Sequence, residues 1–453
     1  MRIHFIAIGG AVMHNLALAL QSAGHQVSGS DDSIHDPSRS RLAEADLLPE
    51  QTGWFPNKIT KDIEAVILGK HARLDNPELV RAQELKLPIF SFPQFIRKQA
   101  ADKQRIVIAG SHGKSSITAM LMHILKTAGR DFDYLVGAPV KGFERTVRIS
   151  DRAPVMLIEG DEYPTSALDA EPKFLHYEPH ICIVTGIAWD HINAFPTERE
   201  YVAQFEKLLK SLPKAATCVY NKDDKQLREL VKAELDTDAH YTEPYSAYAA
   251  RQKSGNLSVK IDKKRVDFPL FGKHNLENLA AAVTVARLLA VRDDELFKAI
   301  ETMPGAGMRL EVLHEDADTV VIRDFAHAPS KLAASVDAVV SKYGRTDNII
   351  VAFELHTYSS LSKNFLPQYK GLLKKLNNKI VFVDNKALEI KRKEPLKQSD
   401  IRKAFADDGI LFTDSQALLE KHLKAARQPG QRDVFLLATS GHLGGLDFQT
   451  LIN

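Results

Sequence analysis

The sequence predicts an α/β protein of three consecutive domains, and three observations predict it. Short apolar runs bounded by turn residues alternate with helical periodicity along the chain. Two of these runs lead into glycine turns, "IAIGG" near the start and "AGSHGK" from residue 109, each followed by a helical pattern. Finally, 453 residues are enough for about three domains at the usual ~100–200 residues each.

Residues 3–8, "IHFIAI", read as a buried strand. Gly9-Gly10 make the turn, and a helix runs from about Val12 to Ala23, closed by Gly24. A second strand, "QVSGSD", brings Asp31 close to the glycine–acid spacing of a dinucleotide fold. That fingerprint is incomplete, because Ala7 holds the first glycine's place and Asn15 stands where the third would be. A tight strand–helix turn with no ligand fits the glycine pair equally well. "AVILGK" and "LPIFSF" continue the alternation, and "RKQAADKQ" at 97–104 reads as a polar linker.

The second segment opens with the buried strand "RIVIAG". After the loop, Ile117, Met120, Leu121, Ile124 and Leu125 mark one face of a helix that Gly129 stops. Two more strands follow, "VMLI" before Glu159 and "ICIVTGI" before Trp189-Asp190-His191. The third segment begins after "MPGAGM" at 303–308. Its strands "TVVIRDF", "NIIVAF", "KIVFVD", "GILF" and "DVFLLA" alternate with helical stretches.

Composition removes several function classes. Sixty basic residues against 58 acidic leave a net charge of +2, which gives no support for nucleic-acid binding. The two cysteines, Cys182 and Cys218, make no disulfide framework, and Cys182 in "ICIV" reads as a buried thiol. No apolar run approaches the ~18 residues of a membrane span. His4 and the Gly9-Gly10 pair interrupt the apolar N-terminus, so no signal peptide is expected and a cytoplasmic protein is.

The loop "GSHGKS" carries the chemistry. A P-loop has four residues between its glycines; here only Ser111 and His112 separate Gly110 from Gly113. It is either a phosphate loop of another build or a polar helix cap with an exposed lysine. Its place between a buried strand and a helix N-terminus favours phosphate, held by backbone N–H groups and the helix dipole. Lys114 then reaches the β- and γ-phosphates, and the Ser115 hydroxyl meets Mg²⁺. The strand end "IEGDEY" offers Glu159, Asp161 and Glu162 as oxygen ligands. His191 ends another strand of the same segment and could give a second metal contact. In "FGKHNLENLAAAV", Asn275 and Asn278 stand at i, i+3, where they could read an adenine edge or, for Asn275, cap the helix. Arg309 is either a surface ion-pair partner or a source of positive charge for a transferring phosphoryl group. Asp324 and His327 lie close by in "RDFAHAP".

Taken in order, "HFIAIGG", "GSHGKSS", "IEGDEY", "WDHINAF", "GKHNLEN", "MRLEV" and "RDFAHAP" resemble the Mur ligase superfamily, the ATP-dependent ligases that build the peptide of peptidoglycan. That family's nucleotide loop is a short G-[ST]-x-G-K-[ST]. The resemblance implies a Rossmann-like UDP-sugar domain (1–102), a central P-loop ATPase-type domain (103–304) and a Rossmann-like amino-substrate domain (305–453). It implies ATP and Mg²⁺ as cofactors, and UDP-N-acetylmuramate plus a peptide or amino acid as partners, with no nucleic acid and no membrane. Gly9 and Gly10 fall near the pyrophosphate and Asp31 near the nucleoside. Gly110, Ser111, His112, Gly113, Lys114, Ser115 and Ser116 hold the nucleotide, with Asn275 and Asn278 on the adenine side and Arg309 and Asp324 contributed by the last domain. Ser115, Glu159 and His191 fall on metal contacts. Lys114, Glu159, His191 and Arg309 carry the catalysis, while His327 and His356 steer the amine.

Within the family, "EGDEYPTSALDAEPKFLHYEP", "GAPVKGFE" and "SGHLGGL" are most similar to the subgroup that joins L-Ala-γ-D-Glu-meso-diaminopimelate to UDP-N-acetylmuramate. The subgroup that adds L-alanine is the alternative. There are departures. Phe205 stands where other members, the tripeptide-joining subgroup excepted, carry a carbamylated lysine. In "FELHTYSS", Thr357 stands where the alanine-adding subgroup has an arginine, and the stretch also fails to match the proline–arginine of the tripeptide-joining subgroup. Ala328 and Met308 replace a histidine and an arginine common to both.

Overall fold

A computed structural model describes residues 1–189, 194–253, 256–305 and 307–452. Its strands form four sheets among the described residues. The first is parallel and four-stranded, ordered Gln26–Ser30, Arg2–Ile6, Ala65–Leu68, Ile89–Ser91. The second has seven strands, ordered Tyr241–Tyr245, Thr217–Asn221, Ile181–Val184, Gln104–Ala109, Val155–Glu159, Asp133–Leu135, Val147–Arg148. Only its last pairing is antiparallel. The α/β class read from the alternation is the one observed.

The chain divides into two compact units. One holds Met1–Ile187, Arg199–Ser246 and Ala280–Ala299, and with them the first two sheets. The other holds Ala188–Glu198, Ala247–Leu279 and Ile300–Asn453. It contains a three-stranded antiparallel sheet, Ala250–Lys253, Asn256–Ile261 and Lys264–Phe268. It also contains a six-stranded sheet ordered Glu311–Glu315, Thr319–Asp324, Asp433–Ala438, Asn348–Leu355, Asn378–Val383, Leu411–Thr413.

Central strands of the parallel sheets are covered on both faces, so they read as continuous apolar runs. Every residue of Asn348–Leu355 is buried, as is every residue of Asp433–Ala438. On one face of the six-stranded sheet Val351, Phe353, Leu436, Tyr369 and Phe405 share a core cluster. Ile350, Ala352, Phe435 and Leu419 share another.

The stretch 97–104 is not a polar linker. Arg97, Lys98 and Gln99 finish the helix Phe92–Gln99, and Gln104 already starts a strand. Lys98 and Asp102 stay exposed, but two charges at and just past the end of the stretch are satisfied inside the fold. Lys103 is buried against Asp133, and the buried Arg105 guanidinium donates to the carbonyls of Ala100 (3.0 Å) and Tyr177 (2.9 Å). No helix among the described residues is long and apolar enough to cross a membrane.

Candidate active site

The strand Gln104–Ala109 lies between Val155–Glu159 and Ile181–Val184, and all three run parallel. Their carboxyl ends therefore meet at one edge, the edge at which α/β sheets bind ligands. Gly110 (φ +118°) and Gly113 (φ +79°) both sit in the left-handed region. A Cβ at position 110 would lie 2.7 Å from the Thr185 backbone nitrogen, so the turn is pressed against the next strand. The Ser111 N–H donates to the Gly186 carbonyl at 3.0 Å, and the Thr185 hydroxyl donates to the His112 carbonyl. Two glycine reversals and this bracing close the loop without the usual extra residues.

The helix Lys114–Thr127 starts directly after Gly113 with no side-chain cap. Several other helices carry side-chain caps, with Asn76, Ser91 and Asp224 accepting from first-turn N–H groups. An uncapped first turn leaves donors for an anion.

The carboxylates of "EGDEY" have separate tasks. Lys114 Nζ donates to Glu162 Oε2 at 2.8 Å, and these side chains are 14% and 1% exposed. Burial alone would favour the neutral amine. Glu162, then Asp161 and Glu159, outweigh it and hold the Lys114 pKa above its ordinary 10.5. The lysine is therefore cationic at neutral pH. Asp161 pairs with Lys173. Glu159 instead accepts from the Ser115 hydroxyl at 2.8 Å through Oε1, and from the Gly137 N–H at 2.7 Å through Oε2. A serine hydroxyl beside a strand-end carboxylate is a hard-oxygen pair that suits Mg²⁺. Tyr201, which the sequence did not single out, holds the loop from behind: its hydroxyl lies 2.9 Å from Ser111 Oγ and 3.4 Å from Glu162 Oε1. His191 lies outside the described residues.

Phe205 is fully buried against Tyr201 and Phe174, with ring centroids 5.3 and 5.5 Å apart. A carbamylated lysine has no place in that aromatic cluster.

At the first sheet, the Gly9 N–H donates to Asp31 Oδ2 at 2.7 Å, so the acid spaced from the glycines does return to them. Burial raises the Asp31 pKa against the lowering effect of the Gly9 and Ser33 N–H groups. Ala7 adopts φ +69°, the left-handed conformation a glycine would take at that point for roughly 1–2 kcal/mol less. The helix Ala11–Ser22 follows Gly10, again with no side-chain cap. Asn15 serves the fold: its amide donates to the Ala11 carbonyl at 2.9 Å and accepts from the Thr146 N–H at 3.4 Å.

The remaining candidates belong to the other unit. Asn275 and Asn278 are both buried on the helix Lys273–Leu288. Asn275 is not the cap, since the helix starts before it and its amide donates to the Phe271 carbonyl at 2.8 Å. The Arg309 guanidinium lies 4.8 Å from the Phe325 ring centroid and donates to the Phe325 carbonyl at 3.3 Å. Asp324 accepts from the Leu310 N–H at 2.8 Å and from the Ser335 hydroxyl, which pins the segment carrying Arg309. His274 is pushed down chiefly by burial, with Asp324 opposing and Arg309 reinforcing, so these three lie within electrostatic reach. The His327 ring meets Phe325 edge-on at 5.0 Å, and its carbonyl accepts from Tyr369. His356 Nδ1 lies 3.7 Å from Glu354. Thr357 is used locally, with its hydroxyl bonded to Ser360 at 3.0 Å.

Residues 2–104 match the family model described as Mur ligase family, catalytic domain, and residues 108–286 match the Mur ligase middle domain. The UDP-N-acetylmuramate–L-alanine ligase of Clostridium kluyveri is 30% identical over 384 residues, 82% of this chain and 81% of that one. The UDP-N-acetylmuramate–L-alanyl-γ-D-glutamyl-meso-2,6-diaminoheptandioate ligase of Escherichia coli is 27% identical over 361 residues, 78% of this chain and 79% of that one. In fold, the crystal structure of a murein peptide ligase from Psychrobacter arcticus superposes with a TM-score of 0.66 at 22% identity, covering 100% of this chain and 98% of that one. Two family models matched in order, and likeness at this level across most of both chains, establish that this chain belongs to the Mur ligase family of ATP-dependent acid–amino-acid ligases.

Proposed function

We propose that the chain joins the lactyl carboxylate of UDP-N-acetylmuramate to the amine of L-Ala-γ-D-Glu-meso-diaminopimelate, in the cytoplasm, through an acyl phosphate. The observation that carries the reading is the braced loop Gly110–Ser115 with a buried, charged Lys114 beside the Ser115–Glu159 pair.

A carboxylate does not condense with an amine at neutral pH, so ATP must first make it an acyl phosphate. The amine then attacks and phosphate leaves. Positioning and charge neutralisation are the main demands on the protein. In this reading Gly110, Ser111, His112, Gly113 and Ser116 line the phosphates, while Lys114 neutralises the transferring group. Ser115, Glu159 and His191 hold Mg²⁺, which would supply Lewis-acid charge at the phosphates. Asn275, Asn278 and Asp324 serve the nucleotide, and Arg309, held against the Phe325 ring and carbonyl, brings a cation. Gly9, Gly10 and Asp31 take the UDP moiety. The boundaries 1–102, 103–304 and 305–453 are proposed for the three domains.

The peptide is favoured over L-alanine by Thr357, whose hydroxyl is committed to Ser360 and which cannot give the bidentate grip an arginine gives a small carboxylate. His327 and His356 are proposed to steer the amine, and Lys363, Lys391, Arg392 and Lys393 to meet the peptide's carboxylates. Lys363 now pairs with exposed Glu394 at 3.0 Å, a solvent-screened surface contact that a ligand can replace. L-Alanine addition stays the second reading, because the Clostridium kluyveri relative bears that name. ADP release from ATP, dependent on both UDP-N-acetylmuramate and an amine, tests the ligase reading. ATP hydrolysis indifferent to both would refute it.

A further inference from the structure

Two neighbouring strands of the six-stranded sheet end beside a group of ligating atoms that the nucleotide chemistry does not use. Glu354 is the penultimate residue of Asn348–Leu355, and His356 follows that strand. Asp384 follows Asn378–Val383, and the parallel register sets Leu355 opposite Val383. His356 and Asp384 thus leave adjacent strand ends together. One ligand atom from each of Glu354, His356 and Asp384 lies within 4.8 Å of the other two.

The buried carboxylate is only half satisfied. Glu354 Oε2 accepts from the Thr439 hydroxyl and from the N–H groups of Gly441 and Leu443, both at 3.2 Å. Among the described residues Glu354 Oε1 is buried with no hydrogen-bond partner, and so is His356 Nδ1, 3.7 Å away. Buried polar atoms left this way are costly and call for an explanation. Their separation is too long for a hydrogen bond. It is close to the ~3.4 Å between two ligands that each lie ~2.1 Å from a tetrahedral ion. Asp384 uses one oxygen, Oδ1, to cap the helix Asn385–Ile390 through the Lys386 N–H. Gly441 closes the far side, since a Cβ there would fall 2.7 Å from His356 Nδ1.

We propose that Glu354, His356 and Asp384 form a site for a divalent transition-metal ion of the Zn²⁺ class. One imidazole and two carboxylates suit that class better than Mg²⁺, which prefers oxygen alone. Three protein ligands leave a fourth position open toward the carboxyl edge of the sheet. The site is separate from the Ser115–Glu159 pair; it shares His356 with the amine-steering role proposed above, and the metal titration reads it without nucleotide or ligation.

The test is a metal titration of the tag-free, chelator-stripped full chain without nucleotide. Zn²⁺ is read against a chromophoric competitor, and Co²⁺ by its visible absorption. We expect one Zn²⁺ per chain and a tetrahedral Co²⁺ spectrum. Affinity should fall at least about tenfold in both His356→Gln and Asp384→Asn, each checked for native circular dichroism, and stay unchanged in Glu159→Gln. Absence of stoichiometric binding, binding unchanged in His356→Gln and Asp384→Asn, or preference for Mg²⁺ over Zn²⁺ would each overturn the proposal.

Discussion

At the level of single residues, the loop Gly110–Ser115 illustrates what a sequence can and cannot specify. The turn carrying Gly110, Gly113, Lys114 and Ser115 was legible because a strand, a short glycine turn and a helix start occur in sequence, while their hold on a nucleotide is a proposal. The division of labour among Glu159, Asp161 and Glu162 was not, because it depends on which way each side chain leaves the strand end. Tyr201 was invisible for a related reason: it reaches Ser111 from a helix ninety residues away. Two predictions follow from this geometry. Lys114→Ala should cut ligation by about 10²–10³-fold, the usual effect of removing a group that stabilises transition-state charge. Binding of the UDP-sugar, followed by calorimetry, should change less than about twofold; normal turnover in a folded Lys114→Ala protein would remove the loop from the mechanism. Glu159→Gln should raise the Mg²⁺ concentration for half-maximal rate about tenfold, because a neutral amide is a poor ligand for a hard cation. Glu162→Gln should act mainly on stability. Breaking a buried pair costs ~3–5 kcal/mol, and the partial exposure of Lys114 reduces this to about 1–3 kcal/mol in a denaturant titration. A larger Mg²⁺ effect from Glu162→Gln than from Glu159→Gln would reverse the assignment.

Elements were legible where burial made them regular. The parallel strands stood out as apolar runs, and the helices after Gly10 and Gly113 by their periodicity. The helix ending at Gln99 and the antiparallel sheet Ala250–Phe268 were not recognised. In the first case, the exposed Lys98 and half-buried Arg97 give the end of the helix the polar look of a linker. In the second, strands such as "NLSVKI" and "KRVDF" alternate over too few residues to stand out. One prediction belongs to the helix Ala11–Ser22. His14 on it is buried, with Nδ1 at 2.9 Å from the Gly10 carbonyl and Nε2 at 2.9 Å from the Asn15 amide. That pattern makes Nδ1 the donor and leaves Nε2 as an acceptor, so protonation would set two donors against each other. Burial accordingly lowers the His14 pKa below 6.5, the Gly10 carbonyl opposing. The unfolded chain then binds the proton more readily than the folded one. Stability is complete above pH 6.5 and falls as pH drops from 6.5 toward the folded value. Denaturant midpoints between pH 7.5 and 5.5 should decline, and His14→Gln should flatten the decline; an equal slope in both proteins would count against it.

Over the whole chain, alternation and length anticipated the fold class, and the order of the motifs anticipated the family. The amino substrate was the least legible feature. In the proposed reading it depends on side chains such as Thr357, Lys363 and Lys393, and all three engage neighbours: Thr357 bonds Ser360, Lys363 pairs with Glu394, and Lys393 lies 3.4 Å from the Tyr358 ring centroid. A peptide with several carboxylates can recruit such groups, and its remote contacts can orient the reacting amine. Free L-alanine has one carboxylate and a methyl group. The decisive measurement supplies ATP, Mg²⁺ and UDP-N-acetylmuramate to the enzyme with L-alanine or with L-Ala-γ-D-Glu-meso-diaminopimelate, the products being weighed by mass spectrometry and kcat/KM compared. A tripeptide conjugate formed with the higher kcat/KM is expected; an equal or higher kcat/KM for L-alanine would contradict the peptide-ligase reading and favour L-alanine addition.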